Sequence, residues 1–138
     1  MNREILFKAK RLDNGEWISG SLVCFAGGER AILPSDSKAF FSKNKGFICC
    51  DTCQDVDPST VCQYTGLTDK NGKKIFEGDI LKGKTRQLYT VEWGNGIAGF
   101  LTRGTGVLTS PCMNTGTMLG YEVIGSIHDG EGDYVQRG

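Results

Sequence analysis

The chain is 138 residues long and balances 16 basic against 16 acidic side chains, for a formal net charge of zero. That length matches one domain of ordinary size with a core of its own, so neither a metal nor a disulfide is required for stability. The charge balance removes the strongest sequence argument for a nucleic-acid protein, clustered Lys and Arg, and no apolar run approaches the roughly 18 residues of a membrane helix.

The N-terminus, MNREILFKAK, carries charges inside its only apolar cluster and does not read as a signal peptide. The expected compartment is therefore the cytoplasm, where the six cysteines stay reduced unless they hold metal or do redox chemistry. Two apolar runs, Ile5–Ala9 and Trp17–Val23, flank Asp13-Asn14-Gly15 and predict a hairpin, because those turn residues tolerate left-handed backbone. ERAILP predicts a third strand stopped at Pro34. SDSKAFFSKNKGFICC is ambiguous. Either Ser35 or Ser37 caps a short helix through Phe41, or a polar loop flanks a strand at Phe47–Cys50. DTCQDVDPST reads as a loop, with Asp57-Pro58 as a turn starter.

From Val61 the side chains alternate through Gly66, Asp69-Lys70-Asn71-Gly72 makes a tight turn, and Lys74–Phe76 runs back. Glu77-Gly78-Asp79 re-aims the chain into a strand at Ile80–Lys82. RQLYTVEW is a longer alternating strand, GNG turns it, and IAGFLTR returns. GTGVLTSPCMNTGTML holds at most a short strand at Val107–Thr109. GYEVIGSIHDG supplies the last strand, and the final eight or so residues are expected to fray. Glycine-punctuated strands every 8–12 residues predict one mostly-β domain over residues 1–138. Its architecture is an antiparallel barrel-like or sandwich fold with one or two short helical turns. Trp17, Ile80, Val91, Trp93, Phe100 and Ile124 are the expected core.

TGLTDKNGKKIFEGDIL, together with REILFKA near the start, TVEWGNGIAGF after it and YEVIGSIHD near the end, resembles the YopX family of small proteins carried by bacteriophages and prophages. The match runs in order through most of the chain. It implies a mostly-β fold, a phage setting and, for some members, assembly into oligomers. It implies no reaction. The chain departs from the family pattern at Cys62, where a glycine usually precedes QYTG, and the cysteine-rich ICCDTCQDV falls where the family varies.

Several constellations invite a chemical reading. Cys50 and Cys53 have zinc-knuckle spacing and Cys62 follows, but the second pair that tetrahedral zinc requires is missing. Cys49 and Cys50 on one strand point to opposite faces. A redox Cys-x-x-Cys lacks its helix-opening setting. His128, the only histidine, sits beside Asp129 in a turn and reads as a surface residue rather than the base of a triad. Glu77 and Asp79 are spaced as a carboxylate pair is, though Gly78 bends the chain between them. Gly94-x-Gly96-x-x-Gly99 looks like a dinucleotide fingerprint but continues into strand, so it reads as a hairpin turn.

A basic stretch from residue 64 to 89 carries Lys70, Lys73, Lys74, Lys82, Lys84 and Arg86 among Tyr64, Phe76 and Tyr89, as a single-strand-binding barrel does. Glu77, Asp79 and Asp69 dilute it. The leading expectation is a non-enzymatic phage accessory domain without cofactor, metal or membrane contact. It would bind an unknown protein partner, or itself as a homo-oligomer. A nucleic-acid module using residues 64–89 and a small zinc protein centred on Cys50, Cys53 and Cys62 are the alternatives.

Overall fold

The computed structural model describes residues 3–36, 40–42, 47–49, 53–83, 87–104 and 120–129. It is mostly β, built of antiparallel pairs, with one short 3-10 turn among the described residues. The strands are β1 (Phe7–Lys10), β2 (Trp17–Cys24), β3 (Arg30–Pro34), β4 (Phe40–Ser42), β5 (Phe47–Cys49), β6 (Gln54–Val56), β7 (Cys62–Thr68), β8 (Lys74–Phe76), β9 (Asp79–Lys82), β10 (Leu88–Gly94), β11 (Gly99–Gly104) and β12 (Glu122–Ser126). Contacts divide the chain into two compact units, one of residues 4–63 and one of residues 1–3 and 64–138.

In the unit of residues 4–63 the strand order is β6-β3-β2-β1, with the first residues of β7 beside β1. The β1–β2 hairpin forms around Asp13-Asn14-Gly15 as its sequence predicts, pairing Lys10 with Trp17 and Phe7 with Gly20. Alternation then sends Phe7, Ala9, Ile18, Leu22 and Ile32 to one face, where they cluster with Val56 and Val61. Gly20 lies between Ile18 and Leu22 on that face, and a Cβ there would stand 1.9 Å from the Leu33 carbonyl oxygen. Only glycine permits so close a pairing with β3.

Two readings change in this unit. Phe40–Ser42 is a strand paired with β5, which overturns the helix through Phe41. The strand expected at Phe47–Cys50 is present as Phe47–Cys49, but the segment expected to flank it as loop carries a strand of its own. DTCQDVDPST is more than a loop: Gln54–Val56 pairs with β3, and Pro58–Thr60 is the 3-10 turn. Three residues are too few to show alternation, but Val56 is almost fully buried and that draws the segment into the sheet. Asp57 caps the turn by accepting from Ser59 N at 3.0 Å, and Lys10 N donates to Thr60 Oγ1 at 2.9 Å.

In the other unit, β7 and β8 form a hairpin and the second sheet runs β11-β10-β9-β12. Among the described residues neither sheet closes on itself, so the sheets are open rather than barrel-like. The core is Ile75, Leu81, Val91 and Val123, packed by Leu67, Tyr89, Phe100 and Tyr121. Each fully buried Leu, Ile or Val contributes about 2 kcal/mol. Ile80 and Val91 are buried as expected.

Ile124 is only half buried, because the β12–β9 register shifts between Val123 and Gly125 and leaves it as the extra residue of a bulge. Trp17 is half buried as well, on the face opposite Ala9 and Ile18. Trp93 is the clear departure: it is 44% exposed. It shares a face with Val91, but β9 covers β10 only from Leu88 to Thr90, and the hairpin end runs past that cover. The expected strand at Val107–Thr109 and the frayed terminus lie outside the described residues.

The turn at Asp69 ties this unit together. Its carboxylate accepts from Asn71 N at 2.8 Å, Lys73 N at 2.9 Å and, on the other oxygen, Val123 N at 2.9 Å. Burial pushes the Asp69 carboxyl up, but the backbone N–H groups of Val123, Lys73 and Asn71 and the nearby Lys73 charge outweigh it and hold the group below its usual value. A depressed pKa in the folded state stabilises the fold above the unfolded pKa and stops doing so as pH falls through the folded one. Asp69→Ala is therefore expected to cost about 3 kcal/mol at neutral pH, because it strands buried donors. The gap from wild type should shrink below about pH 4. Urea unfolding of both proteins at several pH values measures this.

Candidate functional site

The tip of the β10–β11 hairpin carries two exposed large apolar side chains, Trp93 and Ile97. Alternation puts Tyr89, Val91 and Trp93 on one face of β10, opposite Gly104, Thr102 and Phe100 of β11. Tyr89 and Val91 reach the core, whereas Trp93 and Phe100 stack edge to face at 5.1 Å between ring centres beyond it. Phe100 still touches the core, and Ile97, in the turn, is 51% exposed. On the reverse face Glu92 and Arg103 form a cross-strand ion pair, and Ile97 lies toward Gly94 and Leu101 on that same side. Aromatic pairs past the edge of a core are the usual anchors of a binding surface, since they offer large apolar area at low entropic cost.

The sequence-derived candidates are placed as follows. Lys70, Lys73, Lys74 and Lys82 are all exposed, and Lys84 and Arg86 lie outside the described residues. The aromatics meant to stack bases point elsewhere. Phe76 is buried and packs on Tyr64 at 5.5 Å, the Lys74 ammonium lies 5.8 Å from the Tyr64 ring, and Tyr89 meets Tyr121 edge to face against the core. Lys82 stands directly opposite Glu122 in the β9–β12 register, which dilutes its charge. A closer basic–aromatic arrangement, with two lysines on one ring, exists in the other unit. There the Lys8 and Lys10 ammonium groups lie 4.6 and 5.4 Å from the centre of the Trp17 ring.

Glu77 and Asp79 do not form an open carboxylate pair. Asp79 is fully buried and accepts from Phe76 N at 2.8 Å, closing the turn that Glu77 and Gly78 make. Gly78 N and O bond to Val91 O and Ile127 N, so the turn is fixed to β10 and to the end of β12. His128 and Asp129 belong to a similar backbone motif: Ser126 N donates to Asp129 Oδ2 at 2.9 Å, and His128 N to Ser126 Oγ at 3.2 Å. Gly94, Gly96 and Gly99 sit in and beside the hairpin turn, closed by Ile97 N on Gly94 O. No helix follows.

Of the cysteine cluster, Cys50 lies outside the described residues, Cys53 is exposed and Cys62 is fully buried. The Cys62 thiol donates to Thr60 O at 3.2 Å, which requires its proton and occupies its polar end. No group of three or more His, Cys, Asp or Glu among the described residues is placed to hold a metal ion. No helix among them is long and apolar enough to cross a membrane.

With this geometry in view, a family model described as YopX protein matches residues 6–131. The chain belongs to the YopX family. No curated protein matches it. Its structure is similar to the crystal structure of protein EF1440 from Enterococcus faecalis, at 24% identity over 93% of this chain and 96% of that one, with a TM-score of 0.63. At that identity the likeness concerns the fold alone.

Sequence reasoning missed the hairpin tip because Trp93 obeys the alternation that marks a core residue. The signal that could have found it is position: a tryptophan directly before Gly-Asn-Gly stands where a strand leaves its sheet. The thiol assignments are open to a direct measurement. Cys24 and Cys53 should react readily with a thiol reagent in the native protein, and Cys62 only at the rate of unfolding. Peptide mapping of the labelled chain reads each site separately.

Proposed function

We propose that this protein is a non-enzymatic, phage- or prophage-encoded accessory domain that works in the host cytoplasm by binding, and that its first occupant is a second copy of the same chain. The observation that carries this reading is the β10–β11 hairpin, which combines the half-exposed Trp93–Phe100 pair with an edge strand. Among the described residues β11 pairs only with β10, and an open edge recruits a further strand. Two β11 strands paired antiparallel about a twofold axis near Phe100 would extend the sheet across the interface and bring the two Trp93–Phe100 pairs together.

Size exclusion with light scattering tests it over a wide concentration range. The expected result is a mass above the monomer that grows with concentration and reverts to monomer in Trp93→Glu. Trp93 stands outside the core, so this change leaves the fold in place. A strict monomer throughout would remove self-association and leave an external protein partner.

A nucleic-acid module is the second reading, and the observation favouring it is Lys8 and Lys10 over Trp17 rather than the stretch first considered. It expects salt-sensitive binding to single-stranded oligonucleotides, weakened by Lys8→Gln with Lys10→Gln more than by neutralising Lys73, Lys74 and Lys82. Absence of binding at low ionic strength would eliminate it.

A further inference from the structure

The chain contains three Asn-Gly pairs, Asn14-Gly15, Asn71-Gly72 and Asn95-Gly96, each in a hairpin turn. Asn-Gly is chemically labile, because the backbone nitrogen of an unhindered glycine can reach the side-chain carbonyl carbon of the preceding asparagine. The fold treats the three pairs differently. In the first two, glycine is the residue that closes the turn: Gly15 N donates to Arg11 O at 2.9 Å and Gly72 N to Asp69 O at 3.0 Å. Their asparagine side chains are also held. Asn14 Oδ1 accepts from Glu16 N at 2.9 Å, and Asn71 Nδ2 donates to Glu122 Oε2 at 3.1 Å.

At the β10–β11 tip the pair is displaced by one position along the turn. There the closing donor is Ile97 N, bonded to Gly94 O at 3.2 Å, which leaves Asn95 and Gly96 as the two central residues. Both are exposed, and neither the Gly96 N–H nor the Asn95 carboxamide makes a hydrogen bond among the described residues.

We propose that Asn95 is a built-in site of spontaneous backbone-assisted deamidation, while Asn14 and Asn71 are protected by the fold. Gly96 N gives up its proton to solvent base and attacks Asn95 Cγ. The side-chain nitrogen leaves as ammonia, and a five-membered succinimide closes. Water then opens either ring carbonyl, yielding aspartate or, with the main chain rerouted through the side chain, isoaspartate. One water is consumed and one ammonia released, with no oxidant or cofactor. The product places a negative charge between Trp93 and Ile97 and, as isoaspartate, lengthens the turn. This inference does not depend on what, if anything, docks at the tip.

The test is a time course of the native full chain at mildly alkaline pH, digested and read by mass spectrometry for amide-to-acid conversion at each site. Asn95 is expected to convert about tenfold or more faster than Asn14 and Asn71, the factor set by having to open one or two hydrogen bonds first. In urea the three should convert at similar rates. Gly96→Ala should slow Asn95 alone: a Cβ at Gly96 meets nothing within 4 Å, so the variant folds. Equal rates at the three sites in the native chain, or an unchanged Asn95 rate in Gly96→Ala, would overturn the proposal.

Discussion

The Asp69 carboxylate is the interaction on which the unit of residues 64–138 depends. Two of its three backbone donors, Asn71 N and Lys73 N, belong to its own turn, but the third, Val123 N, is 54 residues away. Val123 lies in the core beside Leu81, and without Asp69 its N–H would be buried with no acceptor of equal quality. The neighbours of Asp69 repeat the connection, since Lys70 N donates to Tyr121 O and Asn71 Nδ2 to Glu122. Three consecutive turn residues thus fasten the β7–β8 hairpin along the opening of β12. The bond has to be made by an ionised group, because only a carboxylate accepts on both oxygens without carrying a proton of its own.

The same chemistry recurs at the other polar turns. Asp57 accepts from Ser59 N, Asp79 from Phe76 N and Asp129 from Ser126 N. Each replaces a missing backbone acceptor where the chain reverses direction, as short acidic side chains do in turns. This explains why the stretch around DKNGKKIFEGD looks like an active site in one dimension and is none in three. Its aspartates are turned onto backbone N–H groups rather than into a shared cavity, and its lysines stand on the exterior.

Most of the fold was legible in the sequence because its signals are local. The hairpins at Asp13-Asn14-Gly15, Asp69–Gly72 and Asn95-Gly96 announce themselves through turn residues, and RQLYTVEW reads as a strand through its alternation. What stayed hidden was set by tertiary context. Gln54–Val56 is a strand only because β3 offers an edge and Val56 a place in the core. Ile124 leaves the core because of a bulge that no residue type announces. The candidate site was the least legible part, since Trp93 follows the rule for burial and fails it only because β9 stops pairing at Thr90.

That mismatch in strand length is the physical origin of the exposed tip. A hairpin arm that outruns its neighbour carries its inward face into solvent, and alternation then puts Trp93 in water and leaves Phe100 only partly covered while Val91 stays dry. Edge-to-face stacking recovers part of the cost by letting each ring cover the other, yet the Trp93–Phe100 pair remains as an apolar target on that face. A shorter β10 would end at Val91 and Glu92 with nothing apolar to show. The core needs β10 only as far as Val91, so the residues beyond it are free to be shaped by contact with something else. On the same arm, the turn that ends it holds the one Asn-Gly pair whose labile amide the fold does not restrain, and the least constrained chemistry therefore lies beside the most exposed apolar surface of its sheet.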